Sequence, residues 1–378
     1  MIYLDNASTY FPRPPCVYDA MDYVNRTISV NAGRGDYKVA KEAYQIINRV
    51  RDKLLELFDC KGSTEAVFTP SVTHAINQVL HGLDINENTV IYISPYEHNA
   101  VARTVSFIEK CTHCKVYFLP LDKNTLELDV AHTEYLFKEQ EPDIVISTVI
   151  SNVTGYRLPV EAIFATARKY NAICIADAAQ AAGLIDISLE KMNADIICFA
   201  GHKTLCGPLG IGGFVIRKGV KLSEHLVGGT GSDSLNLEMP EDAPYRYEAG
   251  SPNIVAIAGL EKALEWILEN PHLAKVNELT CMLIDELEQI EKCRVLGVSD
   301  KKNCHGIVSF VVDGYESVDV GHILDEEFDI AVRTGYHCAA YIHDFLDDKA
   351  YGGSVRVGIG PFNTEDDIRN LIEAIKTL

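Results

Sequence analysis

The sequence predicts an α/β fold: a large domain on a mostly parallel seven-stranded sheet, followed by a smaller C-terminal α+β domain. Two observations predict it. From about residue 66 to 217, seven short apolar runs alternate with segments of helical periodicity; they read EAVFTP, NTVIYISP, CKVYFLP, DIVISTVIS, AICIAD, ADIICFAG and GIGGFVIRKG. These runs are apolar at consecutive positions, as suits strands covered by helices on both faces. Beyond Pro271 the rhythm changes, and GIVSFVVDG, SVDVGHILDEEF, GSVRVGIG and TEDDIRNLIEAIKTL mix strands with helices and end on a helix.

Local pattern justifies the elements in turn. From Asp36 to Phe58, Tyr37, Ala40, Tyr44, Ile47, Val50 and Leu54 recur at helical spacing and predict an amphipathic helix. TPSVTHAINQVL reads as a strand end, an N-cap at Ser71 and a helix with Val72, Ile76, Val79 and Leu80 on its apolar side. VAIAGLEKALEWILEN and HLAKVNELTCMLIDELEQIE flank Pro271, which predicts a long helix, a break and a second helix leading into another lobe. The expected division is a large domain over 15–259 and a small one over 260–378, with residues 1–14 packing near their interface.

At 378 residues with 47% hydrophobic content, the chain can bury a large core in two lobes. No apolar run reaches the roughly 18 to 20 residues that span a bilayer, and MIYLDNAST has no basic and then apolar export signal. A cytoplasmic location is expected. The net charge of -20, from 34 basic and 54 acidic residues, argues against a general affinity for nucleic acid or anionic lipid. Eleven cysteines in a chain of this size read as reduced thiols.

Ligands of such sheets bind beyond the carboxyl ends of the strands, where several candidate residues fall. Thr73 lies in the first turn of its helix, where free N–H groups favour a phosphate. Asp177 ends an apolar strand and is followed by the small residues AAQAAG, which let a planar ligand approach. His98 follows another strand. Lys203, next to His202, sits in IICFAGHKTLCGPLGIGGFVI among apolar residues, cysteine and glycine, where burial penalises an ammonium. A free lysine is about 0.04% neutral at pH 7, so an amine acting there has its pKa depressed by roughly 3 units. Gly201, Gly207 and Gly210 are read as opening space around it. A neutral lysine forms a Schiff base with an aldehyde cofactor, and a carboxylate on a pyridinium nitrogen makes that cofactor an electron sink.

Cys338, in RTGYHCAAYIH, has Arg333 and His337 nearby, and cations raise a thiol's thiolate fraction. Arg356, alternating with valines in GSVRVGIG, suits a two-pronged grip on a carboxylate, from a substrate or from a structural acid. CTHC, Cys111 to Cys114, has metal-ligand spacing without a second pair to complete a tetrahedral site. GGTGS is not the glycine pattern of a dinucleotide fold and marks a loop.

Together, YLDNAST, AGRGDY, TPSVTHAIN, YEHNAV, SNVTGY, DAAQ, AGHKTLCGP, YEAGSPN, RTGYHC and VRVGIGPFNTEDDI, in this order over nearly the whole chain, resemble the cysteine desulfurase and selenocysteine lyase branch of the class V aminotransferases. The resemblance implies a fold type I enzyme that uses pyridoxal 5'-phosphate and acts as a homodimer on a small amino acid, L-cysteine first. It implies that Lys203 holds the cofactor covalently, that Asp177 pairs with its ring nitrogen, that His98 stacks on the ring and carries a proton, and that Gln180 contacts its phenolic oxygen. Val72, Thr73 and His202, with Ser251 of the partner subunit, then hold the phosphate. Asn152 touches the cofactor and, with Arg356, the substrate carboxylate; Cys338 takes sulfur as a persulfide for a sulfur-acceptor protein.

The sequence also departs from the family pattern. Ala200 stands where many members carry a hydroxyl, Ser251 replaces a usual threonine, and CAAYIH lacks a common proline. Alternatives to the desulfurase reading are a selenocysteine lyase, another class V enzyme, and a thiol or metal protein built around CTHC.

Overall fold

The computed structural model describes residues 1–32, 35–60, 62, 64–231 and 235–378. In chain order, the first elements are β1 (Ile2–Tyr3), α1 (Pro15–Thr27), α2 (Lys38–Leu57), β2 (Thr64–Thr69), α3 (Val72–Gly82), β3 (Val90–Ile93), α4 (Asn99–Thr112) and β4 (Lys115–Phe118). Then come α5 (Val130–Glu139), β5 (Ile144–Thr148), α6 (Val160–Ala167), β6 (Ile173–Asp177), β7 (Ile196–Ala200) and β8 (Gly212–Arg217). The remainder comprises α7 (Ile254–Glu269), α8 (Leu273–Leu287), β9 (Cys293–Leu296), β10 (Ile307–Val312), α9 (Ser317–Phe328), β11 (Ile330–Ala331), β12 (Arg333–Gly335), β13 (Ser354–Gly358) and α10 (Glu365–Lys376).

All seven predicted strands enter one sheet, in the order β2-β8-β7-β6-β5-β3-β4. It is parallel except at β8, which runs antiparallel to β2 and β7. Side chains alternate across it as the consecutive apolar runs require. Val145, Ala176, Ile197 and Phe199 join one core with α2, α6 and α7, while Ile146, Ile175, Ile196 and Cys198 join a second core with α3 and α4. Each face is therefore covered by helices.

The second sheet is four-stranded, β12-β13-β10-β9, and antiparallel. Helix α7 ends before Pro271 and α8 follows it, as expected for a proline that cannot continue a helix. A capping box between Thr364 and Asp367 starts α10.

The N-terminal segment ties the two sheets together. β1 pairs with β11, Asp5 bridges to Gly358, and the Tyr10 N–H donates to the His202 carbonyl at 3.0 Å. One helix face differs from the sequence pattern: α2 buries Ala43 and Ile46 while Tyr37 and Tyr44 stay exposed. The Tyr44 hydroxyl instead meets that of Tyr245 at 2.7 Å, at the wall of a large cavity.

Packing at the sheet centre leaves no room at Gly213, where an added Cβ would stand 2.1 Å from the Val67 carbonyl oxygen and 2.8 Å from the Phe199 ring. Gly213→Ala is expected to destabilise the protein by about 1–3 kcal/mol, read as a lower urea midpoint.

Candidate active site

Lys203 follows β7 in a tight turn. The Gly201 N–H donates to the Ile211 carbonyl at 3.0 Å, and the Gly207 N–H donates to the Gly201 carbonyl at 2.8 Å. A Cβ at Gly201 would meet the Ile211 carbonyl oxygen, and one at Gly207 the Gly201 carbonyl oxygen, each at 2.8 Å. These two glycines thus permit close backbone approach; they do not open space around the lysine. Burial pushes the Lys203 ammonium down to about 8, with Arg356 and Arg333 adding to the effect while Asp177 and Cys338 oppose it. A pKa near 8 leaves about a tenth of the amine neutral at pH 7, less than full deprotonation but far above a free lysine.

Asp177 closes β6 and is 4% exposed. Its Oδ1 accepts the Ala179 N–H at 3.0 Å. Burial raises its pKa, while that hydrogen bond and Lys203 oppose the rise. Glu97, fully buried, follows β3 and reaches the end of β5: its Oε1 accepts the Thr148 N–H at 2.6 Å and the Ser94 hydroxyl at 2.5 Å. Desolvation, with Asp177 adding, pushes Glu97 up to about 8, so near neutral pH it carries a proton and spares Asp177 a second buried anion.

His98 caps α4, its Nδ1 accepting the Ala100 N–H at 3.0 Å. Burial and the cations Lys203, Arg333, Arg356 and Arg103 push it down to about 3. At neutral pH the ring is therefore uncharged, with its hydrogen on Nε2.

Cys338 stands on the loop after β12, and Arg333 Nη2 donates to its Sγ at 3.3 Å. His337 (φ 46°) and Cys338 (φ 59°) are consecutive left-handed residues, each of which costs about 1–3 kcal/mol unless its surroundings fix it. Asn152 Nδ2 donates to the His337 carbonyl at 2.7 Å, and the Asn99 N–H donates to the Cys338 carbonyl at 2.6 Å. Arg356, 1% exposed, sends Nη1 to the Asn152 carbonyl at 2.9 Å and Nη2 to Asp5 Oδ1 and Ser8 Oγ, each at 3.0 Å. Its Nε is buried and unpartnered, as is Asn152 Oδ1.

Lys203, Asp177, His98, Cys338 and Arg356 thus fall within one electrostatic neighbourhood. Gln180 is buried, with Nε2 donating to the Ala7 carbonyl at 2.8 Å. His202 Nδ1 is buried without a partner, and burial, with Lys203 and Arg13, lowers this imidazole to about 4. Ala200, also buried, ends β7. Val72 and Thr73 open α3, where the Ser71 hydroxyl meets His74 Nδ1 at 2.9 Å and accepts the His74 N–H at 3.4 Å.

Ser251 is not brought to Lys203. It is exposed, accepts from Asn31 Nδ2 at 3.3 Å, and lines a cavity of about 1120 Å³ with Tyr44, His74, Asn77, Tyr245 and Gly210. That cavity is not lined by Lys203, Asp177, His98 or Cys338; the titratable groups, not the volume, mark the chemistry. Cys111 is exposed near the end of α4 and Cys114 is buried. Gly33 and Arg34 of AGRGDY and Ser232 of GGTGS lie outside the described residues.

The sequence reading overlooked the direct Arg333 contact with sulfur, Glu97, Asn99, and the Asp5 and Ser8 contacts to Arg356. Glu97 and Asn99 flank His98 in YEHNAV, and that was the available signal.

In cofactor-free protein, amine-directed labelling of Lys203 is expected to rise through pH 8, well below the 10.5 of an ordinary lysine. Asp177→Asn removes the carboxylate that favours the ammonium and moves this midpoint lower, as peptide mapping across a pH series will show.

The Aminotransferase class-V family model matches residues 2–371. A probable cysteine desulfurase of Methanothermobacter thermautotrophicus is 30% identical over 392 residues, covering 100% of this chain and 94% of that protein. A probable cysteine desulfurase of Vibrio cholerae is 28% identical over 387 residues, covering 99% and 93%. Among solved structures, the apo cysteine desulfurase of Thermococcus onnurineus superposes with a TM-score of 0.90 at 28% identity, covering 99% of this chain and 94% of that one. The cysteine desulfurase CsdA of Escherichia coli, an S-sulfonic acid form, gives 0.84 at 25% identity over 100% and 94%. By sequence over almost its full length, and with the large mostly parallel sheet that goes with it, the chain belongs to the class-V aminotransferase family.

Proposed function

We propose that the chain is a pyridoxal-phosphate-dependent cysteine desulfurase that converts L-cysteine to L-alanine and takes the sulfur as a persulfide on Cys338. The observation that carries this reading is the coupling of one buried lysine to an acid, two arginines and a thiol from separate segments: Lys203 with Asp177, Arg356, Arg333 and Cys338. The reading keeps a large cofactor-binding domain, 15–259, a smaller domain, 260–378, and a cytoplasmic location. Among the described residues no helix is long and apolar enough to cross a membrane.

The residues fit the cofactor. Buried Ala178 and Ala179 leave a flat approach beside Asp177, whose carboxylate suits a ring N–H, and the unpaired His202 Nδ1 and the first N–H groups of α3, at Val72 and Thr73, suit a phosphate. Gln180 has one amide hydrogen left beyond its bond to Ala7, for the phenolic oxygen. Pyridoxal phosphate, when bound, supplies an aldehyde that captures an amine and a ring that withdraws electrons from the substrate's α-carbon.

Lys203 Nζ is the covalent anchor and, once released, the base that receives the α-proton; its depressed pKa makes a neutral amine accessible near pH 8. Arg356 presents Nε to the substrate carboxylate. Asn152 reaches that carboxylate only through its second Nδ2 hydrogen, since the first serves His337, and its unpaired Oδ1 suits a donor on the cofactor or substrate. His98 would stack on the ring and offer Nε2–H. Moving a proton inward through His98 requires breaking its cap on α4, so we assign its contribution mainly to stacking and hydrogen-bond donation. Cys338 Sγ, beside Arg333, takes the sulfur and passes it to an acceptor protein.

Ser251 completes the phosphate site from the partner subunit of a homodimer. Leu226, which lines the same cavity as Ser251, is 58% exposed, and Val227, Leu235 and Leu237, close to it in sequence, are 70–100% exposed, apolar side chains that a second copy would cover.

Lys203→Ala is expected to abolish borohydride-fixed cofactor and to lower alanine formation about 10²–10⁴-fold, the range of a lost general base; mass mapping and an alanine assay measure both. Cys338→Ala is expected to keep the cofactor and lose alanine formation from cysteine; full activity on selenocysteine in that variant would favour a selenocysteine lyase instead.

A further inference from the structure

We propose that a buried pair, Asp348 and His343, is a positioning device for the Cys338 thiol: it pins the Tyr336 carbonyl and so keeps Cys338 in its left-handed conformation with Sγ on Arg333. The inference rests on Cys338 being the sulfur acceptor.

His343 is 2% and Asp348 0% exposed. His343 Nδ1 faces Asp348 Oδ2 at 2.6 Å, and its Nε2 faces the Tyr336 carbonyl oxygen at 3.0 Å. A carbonyl only accepts, so Nε2 carries a hydrogen. Wherever the other proton sits along the short line between Nδ1 and Oδ2, the carboxyl fixes the ring so that Nε2–H points at Tyr336. Without that partner a neutral ring is free to turn its lone pair to the carbonyl and lose the contact.

The three carbonyls before and at the thiol are each held by a different part of the chain. Tyr336 is held by His343 and by the Ala339 N–H at 3.0 Å, His337 by Asn152, and Cys338 by the Asn99 N–H. The His337 ring itself is fixed through Nε2 to Ser354 Oγ at 2.9 Å, and the Asp348 carbonyl takes the Tyr351 and Gly353 N–H groups at 3.0 and 3.1 Å. The pair thus ties the loop to the turn that leads into β13, the strand carrying Arg356. Two successive non-glycine residues at φ 46° and 59° keep that conformation only under such constraint. The His343 ring also lies beside that of His337, with centroids 6.1 Å apart, so the pair meets the loop at two consecutive residues before the thiol.

The test compares holoenzyme variants for alanine formation from cysteine. His343→Phe removes the donor, and the double variant His343→Phe, Asp348→Leu also removes the carboxyl that would otherwise be buried without a partner. Both are expected to lower kcat about 10-fold or more with KM within about twofold and the cofactor's visible absorbance unchanged, because a small misplacement of a reacting group acts on the chemical step. His343→Gln, which keeps an N–H for Tyr336, is expected to recover most of kcat. The inference falls if both Phe-containing variants keep kcat within about twofold, if KM and cofactor content change in parallel with kcat, if His343→Gln fails to recover, or if both variants fail to fold, which marks a purely structural pair. Cys338→Ala run alongside separates the two claims: full activity there overturns the role of the thiol, whereas loss there with active His343 variants overturns the positioning alone.

Discussion

The guanidinium of Arg356 is the constraint on which the site depends. It is almost completely withdrawn from water, and an unpaired buried cation is prohibitive, so its partners must arrive together. They come to the β13 side chain from two places: Asp5 and Ser8 at the start of the chain, and the Asn152 carbonyl after β5. Satisfying one side chain therefore fixes the N-terminal segment, the large sheet and the small sheet relative to one another. Burial lowers the Arg356 pKa and Asp5 opposes that, which is how the charge is tolerated.

Around this centre the charges are distributed so that chemistry costs little rearrangement. Lys203 is weakened as a cation by burial and by two arginines, and His98 stays neutral for the same reasons. Positive potential from Arg333 and Arg356 suits an anionic carboxylate and a sulfur nucleophile in the same space. Glu97, protonated and bonded to Thr148 at the end of β5, the strand that pairs with the one ending in Asp177, adds no second buried anion beside Asp177.

Much of this was readable in the sequence. The seven strands were legible because runs such as DIVISTVIS are apolar at consecutive positions, and Asp177 and Lys203 were legible because they end or follow such runs. The face of α2 was misjudged at Tyr37 and Tyr44 because tyrosine suits both a core and a cavity wall, and only tertiary context decides. Gly201 and Gly207 near Lys203 read as space in the sequence, whereas backbone atoms occupy it; at Gly210 an added Cβ would meet only the Asn253 side chain, at 3.5 Å. What stayed hidden depends on distant partners: Arg356 and Asp5 are 351 positions apart, and no periodicity reports such a pairing. His343 and Asp348 are close in sequence, but their meaning lies in the Tyr336 carbonyl and the loop it holds.

The long-range pairing of the first strand has a consequence for biosynthesis. Leu4 bonds to Ala331 and Gly358, and Asp5 waits for Arg356, so a nascent chain can close its seven-stranded sheet well before these contacts exist. Closing so long a loop is entropically slow and comes late. A polypeptide interrupted before residue 356 then carries the lysine and acid of the site without its arginine, and translation itself separates the folding of the scaffold from the onset of competence.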